Sequence, residues 1–360
     1  MAAAVNLAEL EPRRVCLIKP SALGDVVHAT PVLAALRDRW PHAHIAWVVN
    51  RGLAPLINGL PELDELIPFD RTGSAAGPRG WMQTLGFFQS LRRRKFDLTV
   101  DLQGLLRSGL MTAATRAPVR VGLTSAREGS IHFYTHTIAP LPGTVHAVDR
   151  YLDVARALGA TIREPRFLVP ISAADRLWAQ QTLAHLPGPR LIINVGARWE
   201  TKRWPPEQFA AVANRAAAER GASIIAVGAP EDRPTVDTFR LALGGEAPWL
   251  DLCGRTSLPQ LAALAAESDL VLSNDTGPLH LAVAAGARVV AVFTCTVPEK
   301  TGPYGPRVEV VKSEIWCAGT CVKTCPRMEC MTELTADRVW RVVARQLDHV
   351  SRLERKTSAA

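Results

Sequence analysis

Four short stretches of this chain carry side chains whose types and spacing could do chemistry. Asp25 closes the turn Ser21-Ala22-Leu23-Gly24-Asp25, between an apolar run at residues 13–18 and a helical pattern over 26–39. In an open α/β sheet that turn lies at the carboxyl edge of the strands, so Asp25 is a carboxylate at the mouth of a cleft. Asp is also a preferred cap for the helix it begins, and position alone leaves both roles open. The second stretch, Ser273-Asn274-Asp275-Thr276-Gly277-Pro278-Leu279-His280, falls between a strand pattern and a helix pattern. Thr276 and Gly277 stand where a helix exposes unpaired N–H groups, a site suited to a pyrophosphate. Gly277 lets the backbone approach closely, and Pro278 fits a first turn where no donor is lost. His280, one turn on, could donate to the same anion; an ordinary cap with a surface histidine reads equally well. The third stretch, Arg198-Trp199-Glu200-Thr201-Lys202-Arg203-Trp204-Pro205-Pro206, would neutralise phosphate charge without a metal, or form a solvated basic turn. The fourth is Cys317, Cys321, Cys325 and Cys330, four thiols within 14 residues that could hold a structural Zn²⁺. Their spacing is less regular than paired C-x₂-C knuckles, and buried or idle thiols are the alternative.

These stretches need a scaffold, and the hydrophobic pattern supplies one. In the first half, strand patterns at 13–18, 45–49, 66–69, 98–101 and 120–122 alternate with helical patterns at 26–39, 81–95, 105–114 and 146–158. Residues 71–80, RTGSAAGPRG, read as a mobile loop, and Arg92-Arg93-Arg94-Lys95 as a basic helix end. A Pro-rich linker region spans 160–189 around one helix at 173–185. Strand patterns then return at 190–195, 223–227, 270–273 and 289–293, with helices at 206–220, 232–243, 257–266, 276–285 and 336–353. The expected fold class is α/β: two Rossmann-like doubly wound domains facing a central cleft. The expected boundaries are 1–165, 166–335 and a helix and tail at 336–360 that packs back toward the N-terminal domain.

Composition narrows the function classes. At 360 residues the chain suits two domains. Its 42 Lys plus Arg against 34 Asp plus Glu give +8, which favours acidic partners or is ordinary solubilising charge. No signal peptide and no transmembrane span are expected. Seven cysteines, an odd number, fit a reducing, cytoplasmic setting. G-x-G-x-x-G, the Walker loop, H-E-x-x-H and G-x-S-x-G are missing, so dinucleotide oxidoreductase, P-loop NTPase, zincin and α/β-hydrolase readings lose their main support. A basic stripe with interleaved aromatics is also missing, so no nucleic-acid partner is expected.

Taken in order, KPSALGDVVHATP, DLQGLLRSG at 101–109, HAVDRYL at 146–152, TKRWP at 201–205, GAPED at 228–232, LCGRTSL at 252–258 and SNDTGPLH at 273–280 resemble the ADP-heptose:lipopolysaccharide heptosyltransferases of glycosyltransferase family 9. They resemble the heptosyltransferase I branch more than the II branch. The resemblance implies a GT-B fold, with acceptor in the N-terminal domain and sugar nucleotide in the C-terminal one. It implies inverting transfer that requires no metal cofactor, from ADP-heptose to the anionic inner core of lipopolysaccharide, by a cytoplasmic protein peripheral to the inner membrane. Carried over by position, Asp25 is the general base and Lys202 a phosphate contact. Asp275, Thr276, Gly277 and His280 contact the nucleotide sugar, Thr256 lies near the adenine, and Glu231 or Asp232 holds the ribose. Lys19, Ser21, Gln103, Arg120, His146 and Arg150 are the acceptor-binding candidates. Ala197 and Arg198 stand where related enzymes carry small hydroxyl residues, so the phosphate contacts are expected to differ in detail, with Arg198 among the donor-binding candidates. Residues 71–80 do not align with the family's basic acceptor loop. Other readings are a family member using another nucleotide sugar or acceptor, and a non-catalytic nucleotide-sugar-binding relative; the joint presence of Asp25, Lys202 and Asp275 speaks against the last.

Overall fold

The apolar runs become strands of two separate parallel sheets. The computed structural model describes residues 5–70, 77–245 and 247–358, and the chain divides into two units, Met1–Pro170 and Ile171–Ala360. The first unit runs β1 (Arg14–Ile18), α1 (Leu23–Arg39), β2 (His44–Asn50), β3 (Glu65–Phe69), α2 (Gly77–Arg93), β4 (Leu98–Asp101), α3 (Leu106–Thr115), β5 (Val119–Leu123), β6 (His136–Ile138) and α4 (Ala147–Ala157). Its strands pair in the order β3-β2-β1-β4-β5-β6, all parallel. The register sets Ile18 beside both Val48 and Asp101, so the turn after β1 emerges next to the turn after β4. Pro31 lies inside α1 and cannot donate to the Val27 carbonyl. The Thr30 hydroxyl donates to that carbonyl instead, at 2.8 Å, and the helix continues.

The second unit repeats the plan. It runs α5 (Ala173–Leu183), β7 (Arg190–Asn194), α6 (Pro206–Arg220), β8 (Ser223–Val227), α7 (Arg233–Leu243), β9 (Trp249–Asp251), α8 (Leu258–Ala266), β10 (Leu270–Asn274), α9 (Gly277–Ala284), β11 (Val289–Phe293), α10 (Pro298–Thr301), β12 (Val308–Lys312), α11 (Glu329–Glu333) and α12 (Ala336–Ser358). The sheet order is β12-β11-β10-β7-β8-β9, again all parallel. Ser257 and Gln260 close a reciprocal capping box at α8, and Ser172 with Asp175 does the same at α5.

The structure differs from the sequence expectation at three places. The units part after Pro170 rather than at 165, because Arg166 pairs with Asp38 and Glu62, and the Leu168 amide donates to Thr30. The expected separate segment 336–360 is not set apart: its helix α12 belongs to the second unit. Val339, Trp340, Val343 and Leu347 of α12 are buried with Phe209, Val212 and Ala216 of α6 in the second unit's own core. Of the loop expected at 71–80, residues 71–76 lie outside those described, and Gly77 already begins α2.

Candidate active site

Turns at the carboxyl edge of the first sheet bring together residues far apart in the chain. Lys19 follows β1 directly and is 2% exposed. Its ammonium donates to the Leu102 carbonyl at 3.2 Å and to the Tyr151 hydroxyl at 2.8 Å, and lies 3.6 Å from Asp25 Oδ1. The Tyr151 hydroxyl in turn donates to Asp25 Oδ1 at 3.4 Å. Burial pushes the Lys19 ammonium down, but Tyr151, Asp25 and Asp101 outweigh it and hold the group above its ordinary range. Asp25 is the third residue of α1, and its Oδ2 accepts from the Ala22 amide at 3.1 Å. The helix-capping bond therefore exists, and it orients the carboxylate: one oxygen is held by the turn, the other faces Lys19 and Tyr151. The Asp25 side chain stays 41% exposed, open to a reactant.

Next to this group lies a cavity of about 360 Å³ lined by Asp101, Gln103, Ser125, Arg127, Arg150 and Tyr151, among others. Asp101 is buried and accepts from the Gln103 and Gly104 amides at 2.8 and 3.1 Å and from the Tyr134 hydroxyl at 2.8 Å. Burial raises its pKa against those bonds. Tyr134 reaches Asp101 because Gly122 has no side chain; a Cβ there would overlap the tyrosine ring. Gln103 Oε1 accepts from the Ser21 amide at 3.4 Å, tying two neighbouring turns, and Arg150 donates to the Ser125 hydroxyl. Two guanidinium groups in one pocket suit an anionic ligand.

In the second unit, Asp275 is the hub. It is 4% exposed, with Lys202 Nζ at 2.6 Å, the Thr296 hydroxyl at 2.6 Å and His280 Nε2 at 3.8 Å. Burial pushes its pKa up, but the His280 imidazole, the Lys202 charge and the Thr296 hydroxyl prevail and hold it at about 2. Lys202 ends a 3₁₀ turn, Glu200–Lys202, and its ammonium also sits 4.8 Å from the centre of the Trp199 ring. Thr276 is the N-cap of α9, yet its hydroxyl accepts from Asn194 Nδ2 at 2.9 Å and does not cap the helix. The positive end of α9 thus opens beside a lysine and a histidine, an arrangement that can take up the charge of a diphosphate.

The family model for glycosyltransferase family 9 (heptosyltransferase) matches residues 84–331. The chain belongs to that family. It is 32% identical over 328 residues to lipopolysaccharide heptosyltransferase 1 of Pseudomonas aeruginosa, covering 87% of either protein. Among solved structures, a family 9 glycosyltransferase from Veillonella parvula superposes with a TM-score of 0.80 at 25% identity, covering 96% of this chain and 99% of that one. The Escherichia coli heptosyltransferase WaaC with ADP-2-deoxy-2-fluoro heptose gives 0.70 at 27% identity, covering 92% and 99%. The two parallel sheets are the Rossmann-like pair of a GT-B fold.

Within this family 9 chain, not every sequence candidate reaches a site. Lys19, Ser21, Asp25, Gln103 and Arg150 converge in the first unit, and Lys202, Asp275, Thr276, Gly277 and His280 in the second. Arg120 does not join them. It is the second residue of β5, away from the carboxyl edge, and its guanidinium is spent on the Ala117 and Phe133 carbonyls at 2.8 and 2.9 Å. His146 caps α4 through Nδ1 and packs edge-on against His28. Asp232 turns inward: it accepts from the Ala229 amide at 2.9 Å and lies so close over Gly196 that a Cβ would overlap its carboxyl. Glu231 is exposed with no hydrogen bond among the described residues, which leaves it the more available carboxylate. Arg198 is exposed and Thr256 half-buried, and neither is bonded to the Asp275 group.

The zinc reading of the late cysteines is corrected. All seven cysteines are free thiols, and among the described residues no group of three or more His, Cys, Asp or Glu is placed to hold a metal ion. Cys330 points into the core under α12, where burial pushes its thiol up to about 11, while Cys321 is exposed. The sequence reading missed Tyr151, Arg127 and Thr296 as site residues. Tyr151 was accessible to it, since it lies one helical turn after Ala147 and shares its face. Thr296 follows β11 with no motif around it.

Proposed function

We propose that this enzyme moves heptose from ADP-heptose to a Kdo or heptose hydroxyl of the anionic inner core of lipopolysaccharide, with inversion at the anomeric carbon. Asp25 is the general base, and the observation that carries the reading is its setting. The carboxylate is oriented by Ala22, Tyr151 and Lys19 yet remains accessible to an acceptor hydroxyl. It takes the hydroxyl proton as the acceptor oxygen attacks the anomeric carbon, a contribution of about 10²–10⁴-fold in rate. The carbon–oxygen bond to the diphosphate breaks, and its electron pair leaves with ADP. Lys202, the amino end of α9 and His280 stabilise that developing negative charge. Glu231 holds the ribose and Thr256 lies near the adenine, with Arg198 at the phosphates. In the first unit, Arg127 and Arg150 hold an anionic group of the acceptor beside Asp25. Relatives named as lipopolysaccharide heptosyltransferases, and one solved with an ADP-heptose analogue, support the choice of donor and acceptor. The enzyme works at the cytoplasmic face of the inner membrane, where a lipid-linked acceptor is available.

A donor panel tests the substrate directly. Purified enzyme is mixed with ADP-, GDP- and UDP-sugars and scored for binding and slow donor hydrolysis. ADP-heptose is expected to bind and hydrolyse in preference to the others; preference for a UDP-sugar would overturn the assignment.

A further inference from the structure

The segment between Asp70 and Asp97 has a composition unlike the rest of the chain. It holds six basic residues and no acidic one, so it supplies six of the chain's eight net positive charges. Most of it is α2, whose inner face packs Phe87, Phe88 and Leu91 on Ile67, Phe69 and Phe96. Its exposed side carries large apolar side chains in the amino-terminal half, among polar ones along the helix such as Gln83 and Gln89. Trp81 is 61% exposed, Met82 65% and Leu85 56%. Trp81, Leu85 and Arg92 recur at i, i+4 and i+11, which sets them on one stripe, with Arg93 on its flank. Arg92, Arg93 and Lys95 are exposed. A helix that follows a parallel strand starts at the carboxyl edge of the sheet. The aromatic end of α2 therefore lies on the same edge as Asp25 and the 360 Å³ cavity.

An outward tryptophan with two long apolar neighbours, on a helix rich in arginine and free of acid, matches the chemistry of a bilayer interface. Indole and aliphatic groups enter the headgroup layer while guanidinium groups pair with phosphates. We propose that the outer face of α2 lies on the surface of an anionic phospholipid bilayer, with Trp81, Met82 and Leu85 immersed at the headgroup level and Arg92 and Arg93 on lipid phosphates. The contact is peripheral: among the described residues no helix is long and apolar enough to cross a membrane. This deepens the proposed function and rests on its lipid-linked acceptor, since such docking would hold the acceptor edge of the first unit at the membrane.

Sedimentation with sucrose-loaded vesicles free of lipopolysaccharide tests it. The full chain is expected to pellet with phosphatidylglycerol–phosphatidylethanolamine vesicles at least tenfold more than with phosphatidylcholine vesicles. The double variant W81S/L85S should lose most of that binding. R92A/R93A should lose the preference for anionic lipid and its salt dependence. Both variants should keep wild-type transfer to a water-soluble, delipidated acceptor, which also shows that they fold. The proposal is overturned if the wild-type chain stays in solution, if W81S/L85S pellets unchanged, or if soluble-acceptor transfer falls with vesicle binding. It is equally overturned if the double variant turns a dimer into a monomer, because a second copy then covers the face. Vesicle binding without any heptosyl transfer would leave this inference standing and remove the substrate assignment instead.

Discussion

Tyr151 stands between a buried cation and an accessible carboxylate, and its hydroxyl serves both. In Y151F the Lys19 ammonium stays buried with one fewer oxygen, and Asp25 Oδ1 loses a donor. A hydrogen bond to a charged group contributes about 1.5–3 kcal/mol, so thermal denaturation should show a stability loss of that order. Turnover should drop about tenfold through misorientation of Asp25, the proposed base, with ADP affinity unchanged by calorimetry. Asp275 makes a different kind of statement. Its pKa in the folded chain is about 2 against an ordinary 3.8. A depressed carboxylate pKa adds stability that is fully present above the unfolded value and is lost as pH falls through the folded one. The contribution is roughly 2 kcal/mol at neutral pH and should vanish between about pH 4 and pH 2. Acid titration of the folded state, with D275N for comparison, should place the difference between the two proteins in that window.

Among the elements, the turn after β7 shows how closely backbone and side chain are fitted around the donor candidates. Gly196 leaves room for the Asp232 carboxyl, which anchors the 3₁₀ turn Pro230–Asp232 carrying Glu231. G196A should displace that turn, cost about 1–3 kcal/mol of stability and weaken ADP binding, while leaving acceptor affinity unchanged. Sequence patterns exposed the central strands because Val, Ile and Leu runs such as 15–18 and 289–293 are buried on both faces. They did not expose β6, β9 and β12, three of the four sheet edges, where half-exposed residues give no apolar run. The same reasoning explains the site. Asp25, Lys202 and Asp275 were legible because each lies in a turn after a strand. Tyr151 and Arg127 reach Asp25 and the cavity only through sheet register across a long sequence separation. Arg120 was misplaced because a strand pattern does not say which end of the strand a side chain occupies. The fate of α12 was hidden for a related reason: an amphipathic stripe announces a buried face without naming what buries it.

At the scale of the whole molecule, the candidate residues for each substrate fall in different units. Those for the donor lie in Ile171–Ala360 and those for the acceptor, with the proposed base Asp25, in Met1–Pro170. Substitutions should therefore sort by unit: changes around Lys202 and Asp275 move ADP affinity, and changes around Asp25 move turnover or acceptor affinity while leaving ADP affinity unchanged. The measurement that bears most directly on this division is transfer from ADP-heptose to a water-soluble inner-core acceptor by wild-type enzyme and D25N. Product stereochemistry is read by nuclear magnetic resonance and ADP affinity by calorimetry. The wild-type product should carry an inverted anomeric centre, and D25N should turn over about 10²–10⁴-fold more slowly while binding ADP as tightly. A product with retained configuration, or a D25N enzyme working at the wild-type rate, would contradict Asp25 as the base and the inverting mechanism with it.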